Sequence, residues 1–103
     1  MVNVIIYIEK NQDPMPLVTK LLEEKWIANA TIDVENESYR ALDNQITKTI
    51  NTVITCQTKS LHFSKIAEIV ALINGEKTPI YSIPVTQSNN SFDILIRENT
   101  QKI

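Results

Sequence analysis

The chain has 103 residues, a formal net charge of −2 and 43% hydrophobic residues, which is the size and composition of one globular domain. A nucleic-acid-binding face needs an excess of Lys and Arg, and the ten basic residues here are scattered, so the charge argues against nucleic acid and against a polybasic membrane contact. The single glycine, Gly75, excludes glycine-rich phosphate loops and the G-x-S-x-G turn of serine hydrolases.

The compartment is indicated by the single cysteine, Cys56, which cannot form an internal disulfide and therefore favours a cytoplasmic location. The apolar residues 2–8 are not predicted to be a signal peptide, because they lack a preceding basic region and a small-residue cleavage site. No stretch approaches about 18 apolar residues, so no transmembrane helix is predicted.

The first quarter of the chain predicts a strand followed by a helix. Residues 2–8 form a nearly continuous β-branched run, which is typical of a strand covered on both faces. Asp13 can cap a helix, and Pro14 suits its first position because proline lacks an N–H that would have no partner there. Apolar residues then recur at helical spacing, which predicts a helix from Pro14 to about Trp26.

The middle of the chain predicts a β-hairpin with one long strand. Residues 27–35 alternate between apolar and polar, and after a weak break at residues 36–38 the ribbon can continue through residues 39–42. Asp43-Asn44 tolerates a tight turn. Residues 46–58 are rich in Thr, Ile and Val, so they predict a strand that outruns the core of one subunit. The unpaired edges of such a strand must be covered or must pair with a second chain. A bent hairpin with its tip in water fits the residues equally well.

The last part of the chain predicts a helix, a strand and a terminal helix. Ser60 can cap the second helix and Gly75 can end it. Residues 79–85 predict a short strand, and Ser91 opens a last helix that frays over residues 100–103. The buried side of the second helix is predicted to consist of Leu61, Ile66, Ile69, Val70 and Ile73.

The resulting order is β-α-β-β-α-β with an extra C-terminal helix, all in one domain spanning residues 1–103. This order predicts an α+β fold in which the helices lie on one face of an antiparallel sheet, a split β-α-β arrangement.

Four residues are candidates for ligating a divalent cation, and each has a simpler structural interpretation. His62 and Cys56 lack a chelating spacing, so a helix-start histidine and a buried structural cysteine are the alternatives. Asp33 and Glu35 should point to the same side of a strand, where two carboxylates could bind a cation or simply form a hydrated sheet face.

Four short segments follow one another in order: Leu-Leu-Glu-Glu-Lys-Trp-Ile-Ala at 21–28, Thr-Lys-Ser at 58–60, Thr-Pro-Ile-Tyr-Ser-Ile-Pro-Val at 78–85, and an aromatic-apolar segment at 91–100. This set resembles the CutA family, often called divalent-cation tolerance proteins. It matches the family's first-helix end, its Lys-Thr-x-Ser step, its Pro-to-Leu-Pro-Val strand and its terminal helix, in which Leu95 stands where the family has Trp. The resemblance implies a ferredoxin-like fold and a homotrimer in which long hairpin strands pair between subunits.

The departures from the family pattern concern the residues proposed to bind copper-like ions. Asn29 stands where the family has cysteine, and Gln57 stands where it has lysine. Residues 74–79 keep only Pro79 of the family's His-Pro-Tyr-Glu-x-Pro segment, and residues 42–45 replace its Trp-rich hairpin tip. The scaffold positions that carry over are Glu23, Glu24, Thr58, Pro79 and Pro84.

The resemblance implies a homotrimeric, non-enzymatic cation-tolerance or signalling protein. Its ligand pocket is expected between subunits, near Tyr39, Thr58, Lys59, Glu76 and Lys77. The alternatives are a copper- or zinc-binding protein that uses Asp33, Glu35, His62 or Cys56, and a trimeric module that binds a small molecule. An enzyme ranks last, because no set of nucleophile, base and orienting residue can be assembled.

Overall fold

The secondary structure follows the predicted order in a computed structural model that describes residues 1–102. A 3-10 turn at Ser60–His62 precedes the second helix. The elements are β1 (Val2–Glu9), α1 (Met15–Glu23), β2 (Thr31–Leu42), β3 (Gln45–Thr58), α2 (Phe63–Asn74), β4 (Ile80–Pro84) and α3 (Asn90–Glu98). The sheet is antiparallel with the order β2-β3-β1-β4, which confirms the α+β, ferredoxin-like prediction.

The core lies between one face of the sheet and the helices. Alternate residues of β1 are buried, and so are Ile54 and Cys56 of β3. The helices cover this face with Leu17, Val18, Leu21, Ile66, Ile69 and Val70. The opposite side chains of β1 are only half-buried, so the prediction of a strand covered on both faces is wrong for a single chain. This second side of the sheet is called the open face below.

The predicted break at residues 36–38 does not occur, because these residues pair with β3 at Asn51, Ile50 and Thr49. A β-bulge lies between Asp33 and Asn36 instead, and Glu35 within it has a φ of 59°. The strand also starts later than predicted, at Thr31, because Ile27 is buried in the core rather than extended in the sheet.

A two-stranded ribbon, residues 36–50, extends beyond the rest of the sheet. The pairing of β1 with β3 stops at Glu9 and Asn51, so the ribbon strands bond only to each other. Asp43 and Asn44 join them with φ values of 51° and 62°, as the predicted tight turn requires. The chain measures 46 × 27 × 21 Å as a result, and the long-strand prediction is confirmed.

Two predicted helix caps differ in the structure. Ser60 opens the 3-10 turn and makes no capping bond, and Leu61 beside it is 69% exposed rather than part of the buried stripe. The cap of α3 is Asn89 rather than Ser91, since the Asn89 side chain accepts the N–H of Phe92 at 3.0 Å. None of the helices within residues 1–102 is long and apolar enough to cross a membrane.

Residues 100 and 101, after α3, are docked, although fraying was predicted for residues 100–103, of which residue 103 lies outside the described residues. Thr100 is buried, and its hydroxyl donates to the carbonyl of Ile96 at 2.8 Å. The N–H of Gln101 donates to the carbonyl of Lys25 at 2.7 Å, and its side chain donates to that of Glu24 at 2.8 Å. Gln101 therefore fastens the segment after α3 to the end of α1.

Candidate functional site

The residues predicted for the ligand pocket lie in two separate places. Tyr39 pairs with Lys48, which is ten positions along β3 from Thr58. At about 3.3 Å per residue, the two ends are about 33 Å apart. Tyr39 and Lys77 line one cleft, whereas Thr58 and Lys59 lie at the other end of β3, and Glu76 does not line the cleft. A pocket that unites them across subunits stays a prediction.

The first place is a cleft of about 780 Å³ between the ribbon and the loop from α2 to β4, called the ribbon cleft here. Tyr7 and Tyr81 lie side by side on the open face, with ring centroids 6.3 Å apart and planes inclined by 26°. The pKa of Tyr81 is raised by its hydrogen bond with Tyr7 and then by burial, so the Tyr81 phenol stays protonated at neutral pH. Arg40 and Lys77 bring positive charge to this cleft.

The second place is the His62 cluster, formed by Trp26, Thr58, Lys59 and His62. The Thr58 hydroxyl donates to the carbonyl of Trp26 at 2.6 Å and lies 3.2 Å from Nδ1 of His62. The His62 ring packs edge-on against Trp26, at 5.3 Å between ring centroids. His62 is buried, so it starts a helix as predicted but does not lie at the surface.

The electrostatics of the His62 cluster favour a neutral imidazole. Burial lowers the pKa of His62, and the charge of Lys59 lowers it further, against the carbonyls of Trp26 and Gln101, which raise it. The ammonium of Lys59 donates to the carbonyls of Gln101 at 2.8 Å and Thr100 at 3.4 Å. The Lys59 side chain therefore holds the C-terminal segment, and the cluster is a structural junction.

The architecture is shared with solved structures. The CutA1 protein of Oryza sativa superposes with a TM-score of 0.89 at 14% identity, over 99% of this chain and 94% of that one. The divalent cation tolerance protein of Thermus thermophilus gives 0.87 at 20% identity, over 98% and 100%. The chain has the CutA fold. A protein described as the periplasmic divalent cation tolerance protein CutA, from Archaeoglobus fulgidus, gives 0.85 at 21% identity, over 98% and 100%.

No protein-family model matches the sequence, and no curated protein matches it either. The likeness to the CutA structures therefore establishes the fold, at sequence identities of 14–21% for the three named. It confirms the resemblance derived from the ordered segments at residues 21–28, 58–60, 78–85 and 91–100.

Within this CutA fold, two departures from the family pattern contact each other. The side-chain amide of Asn29 donates to that of Gln57 at 2.8 Å, and Gln57 in turn donates to Asn3 at 2.6 Å. The sequence alone showed that both positions differ from the family pattern, but not that Asn29 and Gln57 contact each other. The hairpin register was the available signal, because Thr31 opposite Thr55 places residues 29 and 57 across from each other.

The four metal candidates do not form a site. The bulge interrupts the alternation that was expected to put Asp33 and Glu35 on one side of β2. Cys56 is fully buried, and burial raises its pKa to about 12, so its sulfur is a thiol rather than a ligating thiolate. No three His, Cys, Asp or Glu side chains converge anywhere in residues 1–102. Residues 1–102 of a single chain thus offer no set of three such ligands for a divalent metal.

Proposed function

We propose that this chain is a divergent CutA-family protein that works as a homotrimer, serves divalent-cation tolerance and catalyses no reaction. The family part rests on the fold, which matches solved structures over 98–99% of the chain, two of them described as divalent cation tolerance proteins. The observation that carries self-association is the ribbon.

Within residues 1–102, the ribbon pairs with no other strand of its own subunit. Its strands bond only to each other from Asn36 to Ile50, and an isolated two-stranded ribbon is marginally stable in water. Its tip exposes Leu42 by 58% and Ile46 by 80%. Unpaired strand edges beside exposed apolar side chains are what a second copy would cover, so pairing between subunits stabilises this element.

The open face of the sheet supports the same proposal. Tyr81 and Ile83 of β4 are 44% and 46% exposed, and Ile5 and Val53 beside them are only half-buried. A sheet with apolar residues on both faces is normally covered on both. The helices cover one face, and neighbouring copies are proposed to cover the other.

The residues also support a role without chemistry and without a resident metal. The thiol of Cys56 is protonated and buried, and His62 is held between Thr58 and Trp26, so neither is poised as a nucleophile or base. The single cysteine supports a cytoplasmic location, which cell fractionation tests.

Light scattering during size-exclusion chromatography tests the assembly. We expect a mass of about three times the 11.7 kDa of one chain at micromolar concentration. The double variant Leu42→Lys/Ile46→Lys should shift the mass towards the monomer without unfolding it, because both side chains are exposed in the single chain. Leu72→Lys is the matched control, since Leu72 is also 80% exposed but lies on α2. A monomer mass for the unmodified chain contradicts the proposal.

A growth experiment tests the cation-tolerance part separately. Cells that lack the gene should grow more slowly than the parent strain in elevated copper(II). The unmodified gene should restore growth, and the Leu42→Lys/Ile46→Lys variant should not. Equal growth of all strains overturns the tolerance role even if the trimer is found.

A further inference from the structure

The ribbon cleft carries more positive than negative charge. Arg40 and Lys77 line it, and neither belongs to an ion pair within residues 1–102. Glu9 is the single acidic residue among the described lining residues. Two cations and one carboxylate make the cleft net positive in a chain of net charge −2, so an anionic group would be stabilised there.

The ribbon tip, residues 41–46, has the opposite charge. Asp43 is its single charged residue and forms no ion pair within residues 1–102. Leu42 and Ile46, on either side of the turn, are 58% and 80% exposed. The tip is therefore acidic and apolar, whereas the cleft places two cations beside the tyrosine pair of the open face. The two surfaces are complementary in charge and in apolar character.

The tip of one chain cannot reach the floor of its own cleft. Tyr7 on the floor pairs with Val53, and Asp43 lies ten residues from Val53 along the hairpin. At about 3.3 Å per residue, the tip is about 33 Å from the floor. The two ribbon strands pair with each other along this distance, which holds the ribbon extended. A tip that occupies the cleft therefore belongs to another copy of the chain.

A contact between a tip and a cleft is heterologous, because the two copies contribute different surfaces. Each copy has one tip and one cleft. A rotation repeated three times closes such contacts into a ring in which every tip and every cleft is occupied. This is the symmetry that the homotrimer of the preceding section requires.

We infer that the ribbon tip of one copy docks in the ribbon cleft of the next copy around the trimer, where Asp43 pairs with Arg40 and Lys77. The apolar side chains that flank Asp43 lie against the tyrosine pair of the open face. The inference rests on the proposed homotrimer and adds the residues that select its partner. A guanidinium and an ammonium around one carboxylate give the contact specificity through charge.

Charge reversal tests this pairing from both sides. Lys77→Glu turns the net charge of the cleft from positive to negative. Asp43→Asn/Gln45→Lys turns the tip from negative to positive, and asparagine tolerates the φ of 51° at position 43. Either variant should exchange subunits between isotopically labelled and unlabelled trimers at least tenfold faster than the unmodified protein. Native mass spectrometry after mixing at low salt measures this exchange.

The combined variant Asp43→Asn/Gln45→Lys/Lys77→Glu restores opposite charges between copies, so its exchange should return to within threefold of the unmodified protein. Gln45 lies eight residues from Val53, about 26 Å along the hairpin, so the recovery reports a contact between copies. Lys25→Glu, at an exposed lysine after α1, is the control and should stay within threefold. Equal exchange in Lys77→Glu and Lys25→Glu, or no recovery in the combined variant, overturns the inference.

A crosslink locates the contact independently of charge. Gln45→Cys/Lys77→Cys introduces two exposed thiols, while the native Cys56 is fully buried. A bifunctional maleimide too short to join the two positions within one chain should give a product of three chains on a denaturing gel. Gln45→Cys/Ser60→Cys, with its second thiol beyond the other end of β3, is the control and should not crosslink.

The outcomes separate this inference from the proposed function. A trimer that forms without the crosslink between positions 45 and 77 overturns the docking of the tip in the cleft and leaves the homotrimer standing. A monomer mass for the unmodified chain overturns both.

Discussion

Asn29 and Gln57 join the segment before β2 to the end of β3 through a side-chain hydrogen bond of 2.8 Å, at the two positions where the chain departs from the cysteine and the lysine of the CutA pattern. A second bond, from Gln57 to Asn3 at 2.6 Å, extends this amide chain to β1. The replacements therefore act as a pair, and they exchange ionisable groups for neutral ones that satisfy each other.

The Asn29→Ala variant should lower the free energy of unfolding by about 1 kcal/mol, because it leaves the carbonyl of the half-buried Gln57 amide without a donor. Urea denaturation at one fixed protein concentration measures the change. Gln87→Ala, in the exposed loop before α3, is the control and should change stability by less than about 0.5 kcal/mol. If the two variants are equally stable, the amide pair makes no net contribution.

The stability of the protein should fall as the pH drops below about 6.5. Burial and then Lys59 lower the pKa of His62 below its ordinary 6.5, so the unfolded chain binds the proton more readily than the folded one. The contribution of neutral His62 to stability is complete above about pH 6.5. It is lost as the pH falls through the pKa of His62 in the folded protein. His62→Gln should show a smaller loss over this range.

Fluorescence gives a second measurement of the same titration, which is useful if His62→Gln folds poorly. Trp26 is the single tryptophan, and its ring centroid lies 5.3 Å from that of His62. Its emission should change with an apparent pKa below 6.5. A midpoint above that value would contradict the burial of a neutral imidazole.

Lys59→Met should loosen the C-terminal segment while keeping the aliphatic stem of the side chain. The variant loses the bonds from the ammonium to the carbonyls of Gln101 and Thr100, worth about 1.4 kcal/mol together at this partly exposed position. The amide of Gln101, bonded to Lys25, should then exchange its hydrogen about tenfold faster. Lys102→Met is the neighbouring control, and equal exchange in both variants would refute the role of Lys59.

The thiol of Cys56 should react with a disulfide reagent at least a hundredfold more slowly in the native protein than in concentrated guanidinium chloride at about pH 8. Its side chain is fully buried and its pKa is raised to about 12 by burial. Little reactive thiolate is therefore present, and the reagent has little access to the sulfur. Rapid native labelling would show that the end of β3 opens readily.

The element order was predictable because the signals are local. The β-branched run of β1, the Asp43-Asn44 turn and the Thr-rich β3 each carry their own pattern, and the ordered segments pointed to the same fold. The sequence also indicated that β3 extends past the core of its own subunit, since a strand over residues 46–58 is longer than strands usually are in a small domain.

The rest depends on contacts between distant residues. Gln101 is fixed by Glu24, 77 positions away, and by Lys59, so its local sequence predicts fraying. The bulge at Asp33 is set by the pairing of β2 with β3 rather than by an identifiable turn residue. The separation of Tyr39 from Thr58 follows from the length and register of β3, which a set of candidate residues does not reveal.

The place of β1 in the middle of the sheet affects synthesis on the ribosome. This strand is synthesised before both of its neighbours, residues 51–58 and 80–84, so it stays unpaired until they have been made. During that interval an apolar segment with both edges unpaired is exposed to other nascent chains. A stalled or truncated product that ends before β4 would keep one edge of β1 open permanently, and that edge would be prone to aggregation.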